Sequence, residues 1–125
     1  MRMKVNEMKL FANQNNISKA RFWEFLSAGY LSLKGYRVLS LNTRYSGVEV
    51  DILAQKVNVL VLVEVKYRRQ AARFDGVIHP TQQARLIRAA RSLEQKYGAK
   101  TSVRIDCMLC TTRWPFLNHV VGVFP

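Results

Sequence analysis

The chain has 125 residues, 49% of them hydrophobic, enough for one packed domain and too apolar for a globally disordered protein. Twenty Lys and Arg stand against eight Asp and Glu, a formal charge of +12, and a small domain this basic points to a polyanionic partner whose phosphates it can neutralise. The longest apolar run, residues 57–65, is broken by Asn58 and Glu64 and is too short to cross a bilayer as a helix, so no membrane role is expected.

Residues 1–16 mix Lys, Glu, Asn and Gln with isolated apolar residues, so no secretory signal is expected there. A cytoplasmic location is expected. Residues 1–17 read as a flexible N-terminal extension, loosest at the polar stretch 13–16, and residues 18–125 as a single domain. Ser18 opens a helical pattern in which Phe22, Leu26, Gly29 and Leu33 recur, and Gly35 ends it. That stripe is expected to face the core. Residues 36–41 alternate as a strand, and 42–47 read as a loop. Two strands rich in β-branched residues follow at 48–55 and 58–67.

Residues 68–78 form a basic connection. Pro80 suits the start of a second helix and Gly98 its end. Leu86, Ala90, Leu93 and Tyr97 make its apolar stripe, while Arg88, Arg91 and Gln95 give a basic outer face. Strands at 101–110 and 119–124 close the chain. The order α-β-β-β-α-β-β predicts an α/β fold with a mixed central sheet flanked by helices.

Cys107 and Cys110 form a C-x-x-C. Only His79 and His119 could complete a zinc site with them, and positions three apart on a strand point to opposite faces. They read as packing residues of a reducing compartment.

The second strand contains Val48-Glu49-Val50-Asp51-Ile52. A period of two puts Glu49 and Asp51 on one face and the three apolar residues on the other. The third strand ends Val63-Glu64-Val65-Lys66, where Glu64 and Lys66 share a face. A tight turn makes the two strands antiparallel neighbours and brings Asp51 and Glu64 to similar heights. Adjacent carboxylates repel, so one must protonate unless a cation compensates them. Mg²⁺ favours hard oxygen ligands, polarises phosphate oxygens and lowers the pKa of a bound water. Lys66 could then orient that water or stabilise developing charge. A solvated strand face with cross-strand ion pairs accounts for Glu64 and Lys66 but poorly for Glu49 beside Asp51.

Asp51, twelve intervening residues and then Glu64-Val65-Lys66 resembles the D…(D/E)-x-K signature of the restriction-endonuclease-like, PD-(D/E)XK superfamily. More closely, the chain resembles the bacterial YraN-like family of predicted endonucleases, distantly related to archaeal Holliday junction resolvases. The matching stretches are Tyr30-Leu31, Gly35-Tyr36, Asn42, Gly47 with the run from Glu49 to Ala54, the run from Val61 to Arg68, Leu86, Ala89-Ala90 and Arg104-Ile105-Asp106. The resemblance implies a restriction-endonuclease-like core. It implies Asp51 and Glu64 as ligands of Mg²⁺ or Mn²⁺, Glu24 as a further acidic ligand and Lys66 as the catalytic lysine. Glu49 and Gln82 take auxiliary positions. The chain departs from the family at Trp23 and Val48, where Gly is usual, and at Gln82, where Lys is common.

Periodicity checks two of these implications. Gln82 lies within about 40° of Leu86 on a helical wheel and so faces the sheet. Glu24 lies nearly opposite the Phe22/Leu26/Leu33 stripe, which makes it solvent-exposed; the resemblance places it in the site. Arg68, Arg69 and Arg73 follow the signature directly and, with Arg88 and Arg91, are the expected phosphate contacts. The expected activity is metal-dependent hydrolysis of phosphodiester bonds in DNA, with branched or junction DNA in repair or recombination as one substrate form. The alternatives are a non-catalytic nucleic-acid-binding protein that keeps the fold, or a nuclease directed at RNA. Subunit number stays open, a homodimer included.

Overall fold

The computed structural model describes residues 5–69, 77–98 and 100–124, with side chains from residue 18 onward. In chain order the elements are α1 (Val5–Leu33), β1 (Arg37–Tyr45), β2 (Val48–Lys56), β3 (Val59–Arg68), α2 (Pro80–Tyr97), β4 (Ser102–Thr111) and β5 (Leu117–Val120). This is the order expected from the sequence. The five strands form one sheet in the order β1-β2-β3-β4-β5. All neighbours are antiparallel except β3 and β4. The mixed character follows from connection length. Two-residue turns can join only antiparallel strands, whereas the parallel β3–β4 pair needs a crossover, and α2 supplies it.

Several boundaries differ from the expected ones. The backbone of α1 is already helical from Val5 and runs through the polar stretch 13–16, where Asn costs a helix only a few tenths of a kcal/mol. β1 continues to Tyr45, so the expected 42–47 loop shrinks to Ser46 and Gly47. Both have positive φ, 54° and 75°, the twist that suits a two-residue hairpin. β5 begins earlier than expected, and Val123 then donates its N–H to the Ile105 carbonyl beside β4.

The helices cover opposite faces. Leu86, Ala89, Ala90 and Leu93 of α2 pack with Val48, Val50, Leu53, Leu62 and Cys107. Ala28 and Leu31 of α1 pack with Ile52, Ala54, Val61, Val63 and Met108. Cys107 and Cys110 therefore point into different layers, as strand parity requires. Both are free, buried thiols, and burial pushes them up to about 12 and about 11.

The face that α1 buries is not the apolar stripe. Phe22, Phe25 and Leu33 are 55%, 66% and 89% exposed, whereas Glu24, Ser27, Ala28 and Leu31 meet the sheet. The sheet beneath is already bulky with Ile52, Val61, Val63 and Met108, and small residues at 27 and 28 let the helix approach it. Ser27 satisfies its hydroxyl on the Trp23 carbonyl at 2.7 Å. Tyr97 of α2 was likewise expected inside but is 47% exposed, with the Lys96 ammonium over its ring.

A polar network ties the β5 edge to the core. Asp106, fully buried, accepts two hydrogen bonds from the Arg104 guanidinium, one from His119 Nε2 and one from the Gly122 N–H. Burial opposes its charge, but these donors hold its carboxyl below the usual carboxylate range. Arg104 also donates to the Tyr36 hydroxyl.

Candidate active site

The pairing of β2 with β3 ends at Ile52–Val63. Beyond that point β2 stays with β1 as far as Val48, and β3 stays with β4 as far as Arg68. The sheet forks, and Asp51 and Glu64 are the first residues past the split on either side. Asp51 Oδ2 accepts the Val65 N–H at 2.9 Å. Glu64, 4% exposed, has its Oε1 3.3 Å from Lys66 Nζ and accepts a hydrogen bond from Gln82 of α2. On the α1 side Glu24, 8% exposed, accepts from Asn42 Nδ2 at 2.7 Å. One fork thus gathers residues from both helices and three strands.

The strand backbone turns over at the same place. Val48 and Val50 pack on the α2 side, but Ile52 and Ala54 pack on the α1 side. The expectation that Val48, Val50 and Ile52 share a face is therefore corrected: the alternation breaks at Asp51. In β1 the facing irregularity is Asn42, which lies between the pairs Leu41–Ile52 and Thr43–Val50 with φ at 51°. Asparagine tolerates this left-handed conformation better than most residues, and here it aims the side chain at Glu24.

The electrostatics are those of crowded, half-compensated acids. Burial, then the Glu64 charge, pushes the Asp51 carboxyl up to about 7; the Val65 N–H opposes this, Glu24 adds to it and Lys66 opposes it. Burial also raises Glu64, against the ammonium of Lys66 and the amide of Gln82. Among the described residues no three His, Cys, Asp or Glu side chains stand together closely enough to hold a metal ion between them. The donor set fits a hard divalent cation that takes one or two carboxylates and keeps several waters, and Glu24 is near enough to act on Asp51.

The structure brings Asp51, Glu64, Lys66, Glu24 and Gln82 together. The solvent-exposed reading of Glu24 is overturned, for the same reason that the apolar stripe of α1 lies outside. Glu49 does not join them; it is exposed and lines a neighbouring groove of about 700 Å³ with Arg44, His79, Gln82, Arg85 and Arg88. Arg88 is therefore beside the site. Arg91 is not: it lines a separate cavity with Glu94 and Phe124. Arg68 donates to the carbonyls of Tyr67 and Val77 and so braces its own connection. Arg69 is exposed, and Arg73 lies outside the described residues. His79 caps α2 by accepting the Thr81 N–H, and His119 holds Asp106, so both imidazoles already have partners, and among the described residues they form no metal-holding group with the cysteines.

Sequence reasoning missed Asn42 as a positioning residue and Arg44 and Arg85 as groove residues. For Arg85 a signal was present: it sits three residues after Gln82 and three before Arg88, on one helix face. For Asn42 the signal was its place among the residues that match the family, with nothing in the spacing to say what it positions.

Comparison with known proteins agrees with the YraN-like resemblance. A family model described as "Uncharacterised protein family UPF0102" matches residues 23–110. The chain belongs to the UPF0102 family. A UPF0102 protein of Bradyrhizobium diazoefficiens is 35% identical over 103 residues, covering 81% of this chain and 77% of the relative. One from Rhizobium etli is 39% identical over 94 residues, 72% and 75% of the two chains. One from Sphingopyxis alaskensis is 32% identical over 108 residues, 86% and 92% of the two. The UPF0102 match spans every residue at the fork, from Glu24 to Gln82. Among the described residues of this UPF0102 chain, no helix is long and apolar enough to cross a membrane.

Proposed function

We propose that this UPF0102 protein is a Mg²⁺- or Mn²⁺-dependent nuclease of the PD-(D/E)XK type that hydrolyses phosphodiester bonds in DNA, in the cytoplasm. The observation that carries the reading is the Asp51–Glu64 pair at the sheet fork: a half-buried and a buried carboxylate, both raised by burial and Asp51 further by the Glu64 charge, with one lysine beside them. Such a pair is costly for a fold to keep and is suited to a divalent ion.

Asp51 and Glu64 would hold the ion, with Glu24 as the third carboxylate. When bound it supplies Lewis acidity at a phosphate oxygen and a water of lowered pKa. The protein groups do the positioning. Val65 N–H fixes the Asp51 carboxylate, Gln82 and Lys66 fix Glu64, and Asn42 fixes Glu24. Lys66 Nζ has three protons to donate, and beside its pairing with Glu64 it would reach the attacking water or the non-bridging oxygens as their charge grows. Arg44, Arg85 and Arg88 line the adjacent groove, where a phosphate backbone would lie.

One observation favours a second reading. Lys66 and Gln82 already satisfy Glu64 Oε1, which would also suit a nucleic-acid-binding protein that keeps the fold without cutting. Incubation with labelled linear duplex, single-stranded and four-way-junction DNA, and with RNA, each with Mn²⁺ or a chelator, separates the readings. The nuclease reading expects metal-dependent cleavage of at least one DNA form. Binding without cleavage under every metal condition would establish the non-catalytic reading, and cleavage of RNA alone would move the substrate.

A further inference from the structure

An aromatic surface begins at the acid cluster and leads away from it. Trp23 precedes Glu24 on α1, and Tyr67 follows Lys66 on β3. Their rings stack, with centroids 5.3 Å apart and planes at 24°. With Lys19, Ala20, Glu24 and Val65 they line a cavity of about 340 Å³. Val65 is the residue whose N–H holds Asp51, so this cavity shares a wall with the catalytic carboxylates. Trp23 also lines a second, larger groove of about 580 Å³ with Phe22, Leu26, Tyr30, Trp114 and Phe116. Trp114 is 83% exposed, Phe22 55% and Phe116 46%. So much exposed aromatic area is a liability unless it meets a partner.

We infer that this surface takes the unpaired bases of the substrate strand, so that the enzyme works where a nucleic acid has single-stranded or splayed nucleotides beside the scissile phosphate. The inference rests on the nuclease reading above and adds the substrate form. Three features choose bases over a protein helix or a second copy of the chain. The surface is continuous with the carboxylates. It is built of rings, and every nucleobase has a face to stack on them. Cations border it, with Lys19 in the smaller cavity and Arg113 next to Trp114, and the larger groove has no acidic residue among its described lining. The arginine groove of Arg44, Arg85 and Arg88 lies on the α2 side of the fork, and the aromatic surface on the α1 side. A strand crossing the fork would leave its phosphates among the arginines and turn its bases onto Trp23 and Tyr67. A continuous duplex keeps its bases stacked inside and cannot use the rings.

The test compares two polymers of equal charge: a short oligothymidylate, and the same phosphodiester backbone with abasic residues throughout. Binding is measured without cleavage, in chelator, for the full-length protein. The expected result is that oligothymidylate binds about tenfold tighter or more, one to a few stacked bases' worth. Trp23→Leu and Tyr67→Leu should lose most of that preference, with thermal unfolding checked to confirm that they fold. In a Trp114→Phe background, Trp23 fluorescence should be quenched by oligothymidylate and not by the abasic polymer. Equal binding of both polymers by the wild type would overturn the inference and leave the nuclease reading standing. Failure to bind either polymer would instead remove the nuclease reading. Self-association that Trp114→Ala abolishes, with no loss of base preference in any variant, would assign the surface to a second copy of the chain.

Discussion

The Asp51 carboxylate takes the Val65 N–H at 2.9 Å, a backbone donor on the strand that β2 has just stopped pairing with. A side chain here replaces a ladder hydrogen bond. This lets the sheet open without leaving a buried N–H unsatisfied, and it locks the carboxylate at the mouth of the opening. Removing it therefore disturbs both the fork and the charge balance.

Proton uptake at Asp51 should be visible in stability. Its carboxyl is pushed up to about 7 in the fold from an ordinary value of 3.8. Between those values the folded protein keeps a proton that the unfolded chain has lost. The stabilisation is full below the lower value, shrinks as pH rises through the window and is gone above the upper one. In chelator, the melting temperature should fall from about pH 4 to about pH 7, and Asp51→Asn should flatten most of that slope. Added Mn²⁺ should raise the melting temperature at the alkaline end in the wild type more than in the variant, because a ligand stabilises only the state that binds it. A wild-type melting temperature that climbs over this interval in chelator would contradict the charge balance described for the site.

The turn between β2 and β3 carries a removable strain. Val57 has φ at 55° and is 82% exposed, so a β-branched residue sits in the left-handed region with little burial in return. Val57→Asn should stabilise the protein by about 1 kcal/mol, because Asn tolerates this conformation. That corresponds to a rise of roughly 4 °C for a domain of this size. Thermal unfolding of the two proteins at one pH measures it, and an unchanged or lower melting temperature would show that the turn relaxes without cost.

The groove arginines should dominate the salt dependence of DNA binding. Arg85→Ala and Arg88→Ala should each weaken duplex binding and lower the slope of log affinity against log salt by about 0.9, one phosphate apiece. Arg91→Ala should change little, since Arg91 lines a different cavity. Binding isotherms at several salt concentrations distinguish the three. A slope lost at Arg91 and kept at Arg85 would place the phosphate backbone on the other end of α2.

How much of this could be read from the residues alone varies with what each feature depends on. The order of elements follows local signals, namely β-branched runs, Pro80, Gly98 and short turns, and those were legible. Asp51 and Glu64 were legible because a tight hairpin sets them level, and Lys66 because strand parity puts it on the face of Glu64. The buried face of α1 was not. A helix with apolar residues most of the way round gives its orientation to whatever surface receives it, and here a bulky sheet received Ser27 and Ala28 rather than Phe22 and Leu26. The place of Glu24 depended on that orientation. The reversal of side-chain alternation at Asp51 needed the positive φ of Asn42, which no spacing rule encodes. Charge alone pointed Arg68 at phosphate and did not reveal that its guanidinium also donates to the Tyr67 and Val77 carbonyls.

The proposed activity is cleavage of DNA by the carboxylates and lysine at the fork with a divalent ion. It is met most directly by comparing cleavage of one labelled DNA, in Mn²⁺, by the wild type, Asp51→Asn, Glu64→Gln and Lys66→Ala, with binding measured alongside. The account predicts cutting by the wild type alone. Each variant should lose at least about a hundredfold in rate, the scale of removing one preorganised charge from such a site. Lys66→Ala should keep most of its DNA affinity, because one lysine is a small part of a surface at +12. Cleavage by Asp51→Asn or Lys66→Ala at the wild-type rate would contradict the account.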